Sequence, residues 1–528
     1  MFYKIDELRV NALKAGANPE SVIPGIIAAR VELPLAEIGE IRVIKKAVDS
    51  RKSNPEFVYR LLVDMPERAK GKYPIATPEE IASLEIADPE LEDAKFALPP
   101  VVLGTGPAGI FGALALALAG AKPIIVDKGP AVEQRCQDYL KFLQTRKLNT
   151  CSNLLIGEGG AGTFSDGKLF TGTKDINSRF IINEFIKAGA DPSIAYIARP
   201  HIGSDVLRVV AANLRKRIEE LGGQFLFNSE VVDLVVKDGK LHGVKLANNE
   251  VIQTNHFLMA PGLGGRNLVR SFACRGLASQ LKPFQIGCRV EHPQEFIDVR
   301  QYHKSPRPMA LEAAEYHLVS RANEKRDSIS SFCMCPGGVI VNASAWEGHS
   351  ATNGMSFKAR DGFFANSCLI STFRADTFSS LDQAYQLIEI LERRLFERGG
   401  STYAFPAQDI VGFMNGRRIL RNFRTSCDTG IIPARVDDLL PARLRFSLQA
   451  AIRHFDKLLP GFIKYGKVVG IESCVSSPLR VVRDENYEAS VKGVFPAGEG
   501  TGEAGGIISA GCDGIRVAAA MLRKAAGK

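Results

Sequence analysis

The stretch VVLGTGPAGIFGALALALAGAKPIIVDKG, residues 101–129, decides the fold of this chain. It begins as an apolar strand, and Gly104, Gly106 and Gly109 then form a G-x-G-x-x-G turn that opens a helix rich in alanine and leucine. A second apolar strand follows and ends in Asp127. In such a βαβ unit the glycines permit a tight turn, close approach of a pyrophosphate, and close packing of helix on strand. This order of elements predicts a dinucleotide-binding site.

The helix that follows the turn strengthens this prediction. Its N-terminus offers free N–H groups and the positive end of a dipole, which suit phosphate groups. Asp127 can accept hydrogen bonds from a ribose hydroxyl. The alternative, a glycine-rich turn without a ligand, does not explain why the acid ends the second strand. The candidate binding residues of this segment are Gly104, Gly106, Pro107, Ala108, Gly109, Asp127 and Lys128.

A second glycine-rich stretch, GEGGAGTFSDGK, covers residues 157–168. Glycine lets a backbone adopt positive φ and approach another group closely. Charged and aromatic residues are interleaved with the glycines, so the stretch is not a low-complexity linker. The alternatives are a loop whose bare N–H groups face an anionic or acceptor-rich ligand and a structural Ω-loop. The candidate binding residues are Gly157, Gly159, Gly160, Ala161, Gly162, Thr163, Asp166, Gly167 and Lys168.

Three features favour FAD over NAD: the stretch over 157–168 and two later segments. HFLMAPG, residues 256–262, reads as an apolar strand that ends in a small-residue turn, and VFPAGE, residues 494–499, is an apolar strand followed by a glycine loop. VFPAGE resembles the second cofactor motif of the glutathione-reductase-like flavoproteins. The resemblance implies that Glu499 contacts the ribityl or pyrophosphate part of FAD and that the next helix points at the flavin pyrimidine. The further candidates are Val231, Ala260, Gly262, Gly498, Glu499, Gly505, Gly506 and Ile507.

A closer resemblance rests on five short motifs: GEGGAGTFSDGKL, RPHIGSD, SFCMCPGG, NGMS and SSPLR. They resemble the uncharacterised bacterial FAD-dependent dehydrogenases, also called NAD(FAD)-utilizing dehydrogenases. That group is similar to the fumarate reductase side of the flavoprotein superfamily. The resemblance implies that residues 157–168 approach the pyrophosphate and isoalloxazine of FAD. It implies the cofactor and leaves the substrate open.

Composition sets the broad class. Of 528 residues, 45% are hydrophobic and 24% are charged, which is typical of globular proteins with a large core. The net charge of +9 is mild for this length; it is compatible with an anionic substrate and does not establish nucleic-acid binding. Ten scattered cysteines, a charged N-terminal stretch and short apolar runs predict a cytoplasmic protein without a membrane span or a metal site.

The expected fold class is α/β, a Rossmann-like, glutathione-reductase-like FAD domain with an inserted α+β substrate domain and a small N-terminal α/β module. The predicted segments are residues 1–97, 98–272, 273–465 and 466–528. Locally, the patterns predict an amphipathic helix over 40–52, a strand over 56–65, a helix plus linker over 78–94 and a helix over 206–221. Asp238 and Gly239 predict a hairpin turn.

Several residues are candidates for catalysis or substrate binding. Cys333 and Cys335 in CMCPGG supply a flavin-facing thiol or a redox pair, or they are buried small residues before a turn. An arginine-rich region over 417–453 is either an anion clamp or a solvated surface. Arg480 in SSPLR is the better candidate for substrate binding, and His201 and His349 are candidate proton donors. The residues predicted to be catalytic are Arg480, His201 and Cys335.

The expected activity is hydride transfer at flavin N5 by an FAD-dependent oxidoreductase acting on an unidentified small molecule, with NAD(P)H as a transient electron donor. A flavin monooxygenase is a variant of this activity, and two alternatives of other classes stay open. One is an FAD-dependent RNA-modifying enzyme, although residues 1–97 contain 14 basic and 17 acidic residues and nucleic acid is not the expected partner. The other is a non-catalytic flavin-bound sensor or assembly factor. The oligomeric state cannot be read from the sequence.

Overall fold

The computed structural model describes residues 1–69, 73–82, 86, 88–170, 172 and 175–528. The N-terminal module is a three-stranded antiparallel sheet in the order β1-β3-β2. One helix contributes buried Ile23, Ile27 and Val31 to the same core as the sheet. The elements of this module are β1 (Phe2–Asn11), α1 (Ile23–Val31), β2 (Ile41–Asp49), β3 (Glu56–Asp64) and α2 (Pro78–Ala82).

The helix predicted over residues 40–52 is wrong, because strand β2 occupies this segment. β2 pairs with β3 along its length, and its other edge meets residues 196–198 through the backbone of Lys46. The segment is rich in β-branched residues, which fit a pleated surface, and pairing on both edges outweighs its helical periodicity. The strand predicted over 56–65 is confirmed. In segment 78–94, α2 confirms the start of the helix, while residues 83–85 and 87 lie outside the described part.

The nucleotide-binding half begins with the predicted βαβ unit, in which two parallel strands flank a helix. A hairpin turns at Asp238 and Gly239, as predicted, and both residues have positive φ. The elements of this half are β4 (Val101–Leu103), α3 (Pro107–Leu118), β5 (Ile124–Val126), α4 (Val132–Thr145), α5 (Asn177–Lys187), α6 (Ser204–Glu220), β6 (Gln224–Leu226), β7 (Val231–Lys237), β8 (Lys240–Leu246), β9 (Val251–Gln253), β10 (Phe257–Met259) and α7 (Arg266–Cys274).

The inserted domain carries a seven-stranded sheet in which all neighbours but one pair are antiparallel. Its last strand, Lys467–Glu472, lies beyond the predicted boundary at residue 465, so the inserted domain extends further than expected. Its elements are β11 (Ser279–Leu281), β12 (Phe284–Pro293), α8 (Gln294–Tyr302), β13 (Val319–Ser320), β14 (Ile329–Cys335), β15 (Val339–Asn342), β16 (Thr352–Met355), β17 (Phe364–Phe373), α9 (Leu381–Arg398), β18 (Phe405–Asp409), α10 (Ile410–Asn415), β19 (Ile431–Pro433), α11 (Ala442–Leu458), α12 (Phe462–Tyr465) and β20 (Lys467–Glu472).

The C-terminal segment returns to the nucleotide-binding half as β21 (Leu479–Val481), β22 (Val494–Pro496) and α13 (Ile507–Ala525). β22 completes a parallel sheet in the order β22-β10-β4-β5-β6. α13 packs on α3 where Gly514 lies so close that an added Cβ would be 2.0 Å from the Ala108 carbonyl oxygen. The crossing lies at the second residue of α3 and the eighth residue of α13. No helix in the described ranges is both long and apolar enough to cross a membrane.

Candidate functional site

One large cavity of ≈ 1060 Å³ lies at the carboxyl ends of the parallel strands. Residues that follow β4, β5, β10 and β22 line it, and so do residues of β14 and β20 from the inserted domain. In open α/β sheets, ligands bind at this end of the strands. The volume exceeds the ~300–1,000 Å³ that is usual for small-molecule pockets, so the cavity has room for a dinucleotide and a small substrate.

Two helices point their N-termini at this cavity. α3 begins after Gly106 and α13 begins after Gly506, and no side chain caps either end. The first-turn N–H groups of both helices are therefore available to phosphate or acceptor atoms. Gly262 and Gly506 also line the cavity and have positive φ, and in the described part of the chain no atom beyond their direct neighbours lies within 4 Å of where a Cβ would stand. Bare backbone in open space fits a cofactor that lies against the chain.

The glycine-rich loop over 157–168 packs backbone against backbone on the nucleotide-binding turn. An added Cβ on Gly129 would lie 2.4 Å from the Cα of Gly157, and one on Gly160 would lie 3.1 Å from the Cα of Gly106. Some of these glycines are therefore required because two backbone segments of the protein pack directly against each other. The rest borders the cavity, where Gly157, Gly160 and Gly162 form part of the wall.

Arg135 of α4 holds this loop from behind. It is fully buried, and its Nε donates to the carbonyl oxygen of Asn153 at 2.8 Å. Its Nη1 donates to the carbonyl oxygens of Glu158 at 2.6 Å and Gly160 at 2.8 Å. Sequence reasoning missed this role, because one arginine inside an amphipathic helix carries no signal of it.

The two predicted cofactor acids both border the cavity and both already have protein partners. Asp127 accepts from the Thr105 backbone N–H at 3.0 Å, the Thr105 hydroxyl at 2.6 Å and the Gly129 N–H at 2.8 Å. Glu499 accepts from the Ser477 N–H at 2.9 Å and lies 3.6 Å from the Lys282 ammonium. A carboxylate has about four acceptor positions, so each can still accept from a ribose or ribityl hydroxyl. These contacts stay predictions.

Most of the other predicted cofactor residues also border the cavity. The exceptions are Gly109, Gly159 and Thr163. Gly109 has the predicted packing role, since an added Cβ would lie 1.9 Å from the carbonyl oxygen of Gly104. Gly159 and Thr163 shape the loop internally. The predicted residues on the wall are Gly104, Gly106, Pro107, Ala108, Asp127, Lys128, Gly157, Gly160, Ala161, Gly162, Asp166, Gly167, Lys168, Val231, Ala260, Gly262, Gly498, Glu499, Gly505, Gly506 and Ile507.

The wall opposite the helices carries buried charge. Asp166 is 1% exposed; it accepts from Nε of Arg360 at 3.0 Å and from the Lys168 ammonium at 2.7 Å. Burial by itself would raise the pKa of Asp166, but Lys168 and Arg360 hold that pKa well below its usual range. The carboxylate is therefore charged and paired. Asp166 and Lys168, predicted as cofactor residues, belong to this cluster on the inserted domain's side.

A second buried pair joins β12 to β20. Arg289 is fully buried, and its Nε donates to the Glu472 carboxylate at 2.7 Å. Its Nη1 donates to the side-chain oxygen of Asn366 at 2.6 Å. Glu472 borders the cavity, and burial raises its pKa to about 7. This carboxyl group can therefore gain or lose a proton near neutral pH.

The three predicted catalytic residues do not border the cavity. Arg480 is 43% exposed at its side chain and donates to the carbonyl oxygen of Gly502 at 3.3 Å. His201 is buried behind the wall with a ring nitrogen 3.2 Å from the Lys358 carbonyl oxygen, and burial and Arg360 lower its pKa. Cys335 is fully buried. Cys333, two residues earlier on the same strand, lies on the wall.

Other candidates are also resolved by position. His349 does not border the cavity, whereas Trp346 does, with the Arg266 guanidinium 3.5 Å from its ring centroid. Arg266 makes a double hydrogen bond to buried Glu392 at 3.0 and 2.8 Å, which fixes the stack. The arginine-rich region is split between exposed and half-buried positions away from the cavity, so it is not a clamp within this site.

Comparison with known proteins agrees with this geometry. A family model described as "FAD-dependent protein, C-terminal domain-like" matches residues 283–474, the inserted domain. A protein of Clostridium beijerinckii (strain ATCC 51743 / NCIMB 8052), described as uncharacterized, is 36% identical over 529 residues, covering 98% of this chain and 99% of that protein. The fold, the cavity and the family match define a FAD-dependent flavoprotein. The chain belongs to the same family as the Clostridium protein.

Solved flavoprotein structures are more distant. A variant of E. coli quinol fumarate reductase FrdA aligns with a TM-score of 0.37 and 13% identity over 81% of this chain and 70% of that chain. The flavin-dependent brominase Bmp2 aligns with a TM-score of 0.38 and 12% identity over 82% and 80% of the two chains. L-proline dehydrogenase from P. horikoshii aligns with a TM-score of 0.34 and 10% identity over 80% of this chain and 92% of that chain. Scores at this level transfer no activity to this chain.

Proposed function

We propose that this protein is a FAD-dependent oxidoreductase that exchanges a hydride with a small-molecule substrate at flavin N5. The observation that carries the proposal is convergence on one cavity. The G-x-G-x-x-G turn, the glycine loop over 157–168 and the uncapped N-terminus of α13 all border it. The same cavity extends to the charged wall of the inserted domain, where a substrate would contact side chains.

In this proposal the chain's own groups divide the work. The N-termini of α3 and α13 bind the pyrophosphate and the flavin pyrimidine edge, and Glu499 accepts from a ribityl hydroxyl. FAD, when bound, supplies the hydride chemistry. The inserted domain orients the substrate and excludes water. Glu472, which can change protonation near neutral pH, holds or releases a proton at the cavity wall.

The proposed substrate is anionic. Lys168 and Arg360 face the single carboxylate of Asp166, so two positive charges meet one negative charge at this wall. Two further carboxylates act on Arg360: Glu315 is paired with Arg199 at 2.8 Å, and Glu312 is exposed and 3.8 Å from Arg360. One positive charge of the Asp166 cluster is therefore left for a ligand. A carboxylate or phosphate on the substrate would complete the cluster with charge-assisted hydrogen bonds.

The first experiment is the visible spectrum of the purified protein, followed by heat release and chromatography of the chromophore. Released FAD supports the proposal. A protein that stays colourless after reconstitution with excess FAD overturns it. Anaerobic reduction with NADH, with NADPH and with a chemical reductant then tests whether a nicotinamide acts as the transient donor. A flavin that only the chemical reductant reduces would favour a sensor or assembly factor.

A second candidate function, RNA modification, is favoured by one surface feature. The loop GRRILRNFR, residues 416–424, contains four exposed arginines and an exposed Phe423, and no acidic residue. The ammonium group of Lys467 fixes the base of the loop by donating to the carbonyl oxygen of Asn422 at 3.3 Å. Arginines interleaved with aromatic rings suit single-stranded nucleic acid.

This candidate is tested by the salt dependence of binding to a labelled oligouridine. We expect the Arg418→Ala/Arg421→Ala double variant to weaken binding about tenfold at low salt. The matched control is Arg393→Ala/Arg394→Ala, which removes the same charge from exposed positions on α9. Equal loss in both variants, or no gel shift by the parent protein, would remove this candidate.

We further propose that the protein works in the cytoplasm. All ten cysteines are free thiols, and three of them, Cys333, Cys335 and Cys474, lie on or beside the cavity wall. Free thiols persist in a reducing compartment. Cell fractionation with an antibody against the protein checks this, and recovery from a secreted or membrane fraction would contradict it.

A further inference from the structure

Strand β14 is irregular where it reaches the cavity. Its pairing with β17 shifts register between Phe332 and Cys335, and Cys333 lies inside this bulge with φ of 46°. A left-handed backbone is strained for a residue with a side chain, and such strain persists where the surroundings impose it. Bulges next to sites re-aim a side chain. The result here is that Cys333 joins the cavity wall while Cys335 is turned into the core.

A half-buried lysine and a fully buried arginine contact the backbone next to this thiol. The Lys168 ammonium donates to the carbonyl oxygen of Met334. Nη1 of Arg289 approaches the carbonyl oxygen of Cys333 at 3.4 Å. Each cation is itself held by an acid, Lys168 by Asp166 and Arg289 by Glu472. The bulge is therefore fixed from two different elements, and positive charge lies within reach of the Cys333 sulfur.

The surroundings also favour the thiolate form. The Cys335 thiol can donate to the Cys333 sulfur or to its carbonyl oxygen, which is 3.4 Å away. The hydrogen bond from Cys335, followed by the charges of Arg289 and Lys168, lowers the pKa of Cys333, although burial and Asp166 act in the opposite direction. The titratable and charged groups around it are Asp166, Lys168, Arg289, Cys335, Cys368 and Glu472.

The cavity contains its own reference thiol. Cys474 also lines the wall, but burial raises its pKa to about 12. No bulge or left-handed backbone marks Cys474. The two thiols in this cavity therefore have opposite electrostatic surroundings. A comparison of their reactivities distinguishes the effect of reagent access to the cavity from the effect of a lowered thiol pKa.

We propose that Cys333 is a nucleophilic site of this cavity that forms a covalent thioether with small electrophiles carrying an activated double bond. The sulfur lone pair forms a bond to the β-carbon of an α,β-unsaturated carbonyl compound. The π-electron pair moves to the α-carbon, which takes a proton from the Lys168 ammonium or from water. No oxidant or reductant takes part. The reaction needs no FAD, so it stands apart from the proposed function.

The test is competitive labelling of the full-length protein with a limiting amount of N-ethylmaleimide, followed by peptide mass spectrometry. At about pH 6.5 we expect Cys333 to be labelled at least about tenfold faster than Cys474 and the exposed Cys151 and Cys274. The labelling rate of Cys333 should level off at a lower pH than the rates of the two exposed thiols. Equal rates at all four positions would overturn the proposal.

A variant identifies the cause of the reactivity. Lys168→Met removes one cation, and we expect the half-maximal pH for Cys333 labelling to rise while labelling of Cys151 stays unchanged. An unchanged half-maximal pH would overturn the assigned role of Lys168. Should this variant fail to fold, the four rates in the parent protein still decide the proposal. Labelling is repeated with and without FAD. If the protein binds FAD but Cys333 is labelled slowly, the inference about Cys333 is refuted and the proposed function stands. If the protein does not bind FAD but Cys333 is labelled fast, only the proposed function is refuted.

Discussion

The two sides of the cavity wall differ in the groups that face the cavity: backbone on one side and charged side chains on the other. On the nucleotide-binding side, glycine backbone and two uncapped helix N-termini face the space. On the side of the inserted domain, charged side chains are buried in pairs. Asp166 and Arg360 are 194 residues apart, and Arg289 and Glu472 are 183 residues apart. The first side consists mainly of backbone from short glycine-rich segments, and the second consists of side chains that are paired across long sequence separations.

This difference has energetic consequences. A glycine cradle is disturbed by added atoms, whereas a buried ion pair is disturbed by a lost partner. Removing one member leaves an uncompensated buried charge, which costs more than the pair itself contributes. Substitutions in the two halves should therefore fail in different ways, one mainly in cofactor binding and the other mainly in stability.

The largest effect is expected from Arg289→Met, which leaves Glu472 buried without its partner. We expect the free energy of unfolding to fall by about 3–5 kcal/mol, measured by urea denaturation. The control is the double variant Arg289→Met/Glu472→Gln, which removes the stranded charge and should recover part of the loss. A single variant that loses less than about 1 kcal/mol would mean that the pair is not a structural element of the inserted domain.

The next effect is expected from Gly109→Ala on the other half. The new Cβ would lie 1.9 Å from the Gly104 carbonyl oxygen, so the turn must move. We expect a loss of about 1–3 kcal/mol in stability and at least about tenfold weaker FAD binding, measured by flavin fluorescence. Gly25→Ala is the control: Gly25 has open space around it in helix α1, so alanine should stabilise by about 0.5–1 kcal/mol. Equal outcomes at both glycines would contradict the packing role.

A pH-dependent effect is expected at Asp166. Its pKa is lowered in the folded state, so its contribution is fully present above the unfolded pKa of about 4 and is lost as the pH falls toward the folded pKa. Asp166→Asn should therefore cost about 1.5–3 kcal/mol at pH ~7. The difference from the parent protein should shrink below pH ~4, as measured by thermal unfolding. A stability difference between the variant and the parent protein that stays constant with pH would show that the charge of Asp166 does not cause the stabilisation.

The smallest effect is expected from Arg480→Ala. This side chain is partly exposed, and its contacts are one carbonyl oxygen and Glu503 at 3.8 Å. We expect a stability change below about 0.5 kcal/mol and unchanged FAD affinity. A tenfold loss of FAD affinity would show that Arg480 contributes to cofactor binding although it does not border the cavity.

The parts of the site that could be predicted are those encoded within short segments. Gly104, Gly106 and Gly109 lie within six residues, and Asp127 closes the same βαβ unit, so the motif specifies both fold and position. The segment 40–52 shows the limit. Its helical periodicity is real, but pairing of β2 on both edges decides its structure. A local sequence pattern does not decide the secondary structure where hydrogen bonds to neighbouring strands satisfy the backbone N–H and C=O groups instead.

Sequence by itself determined the βαβ unit over residues 101–127, because its turn, strands and helix N-terminus are formed by neighbouring residues. Only the tertiary structure decided the opposite wall. The pairing of Asp166 with Arg360 depends on strands and loops that meet after folding. The choice of Cys333 over Cys335 depends on a register shift against β17. Such a shift changes which face a side chain occupies, and it is set by the neighbouring strand rather than by the residues CMC themselves.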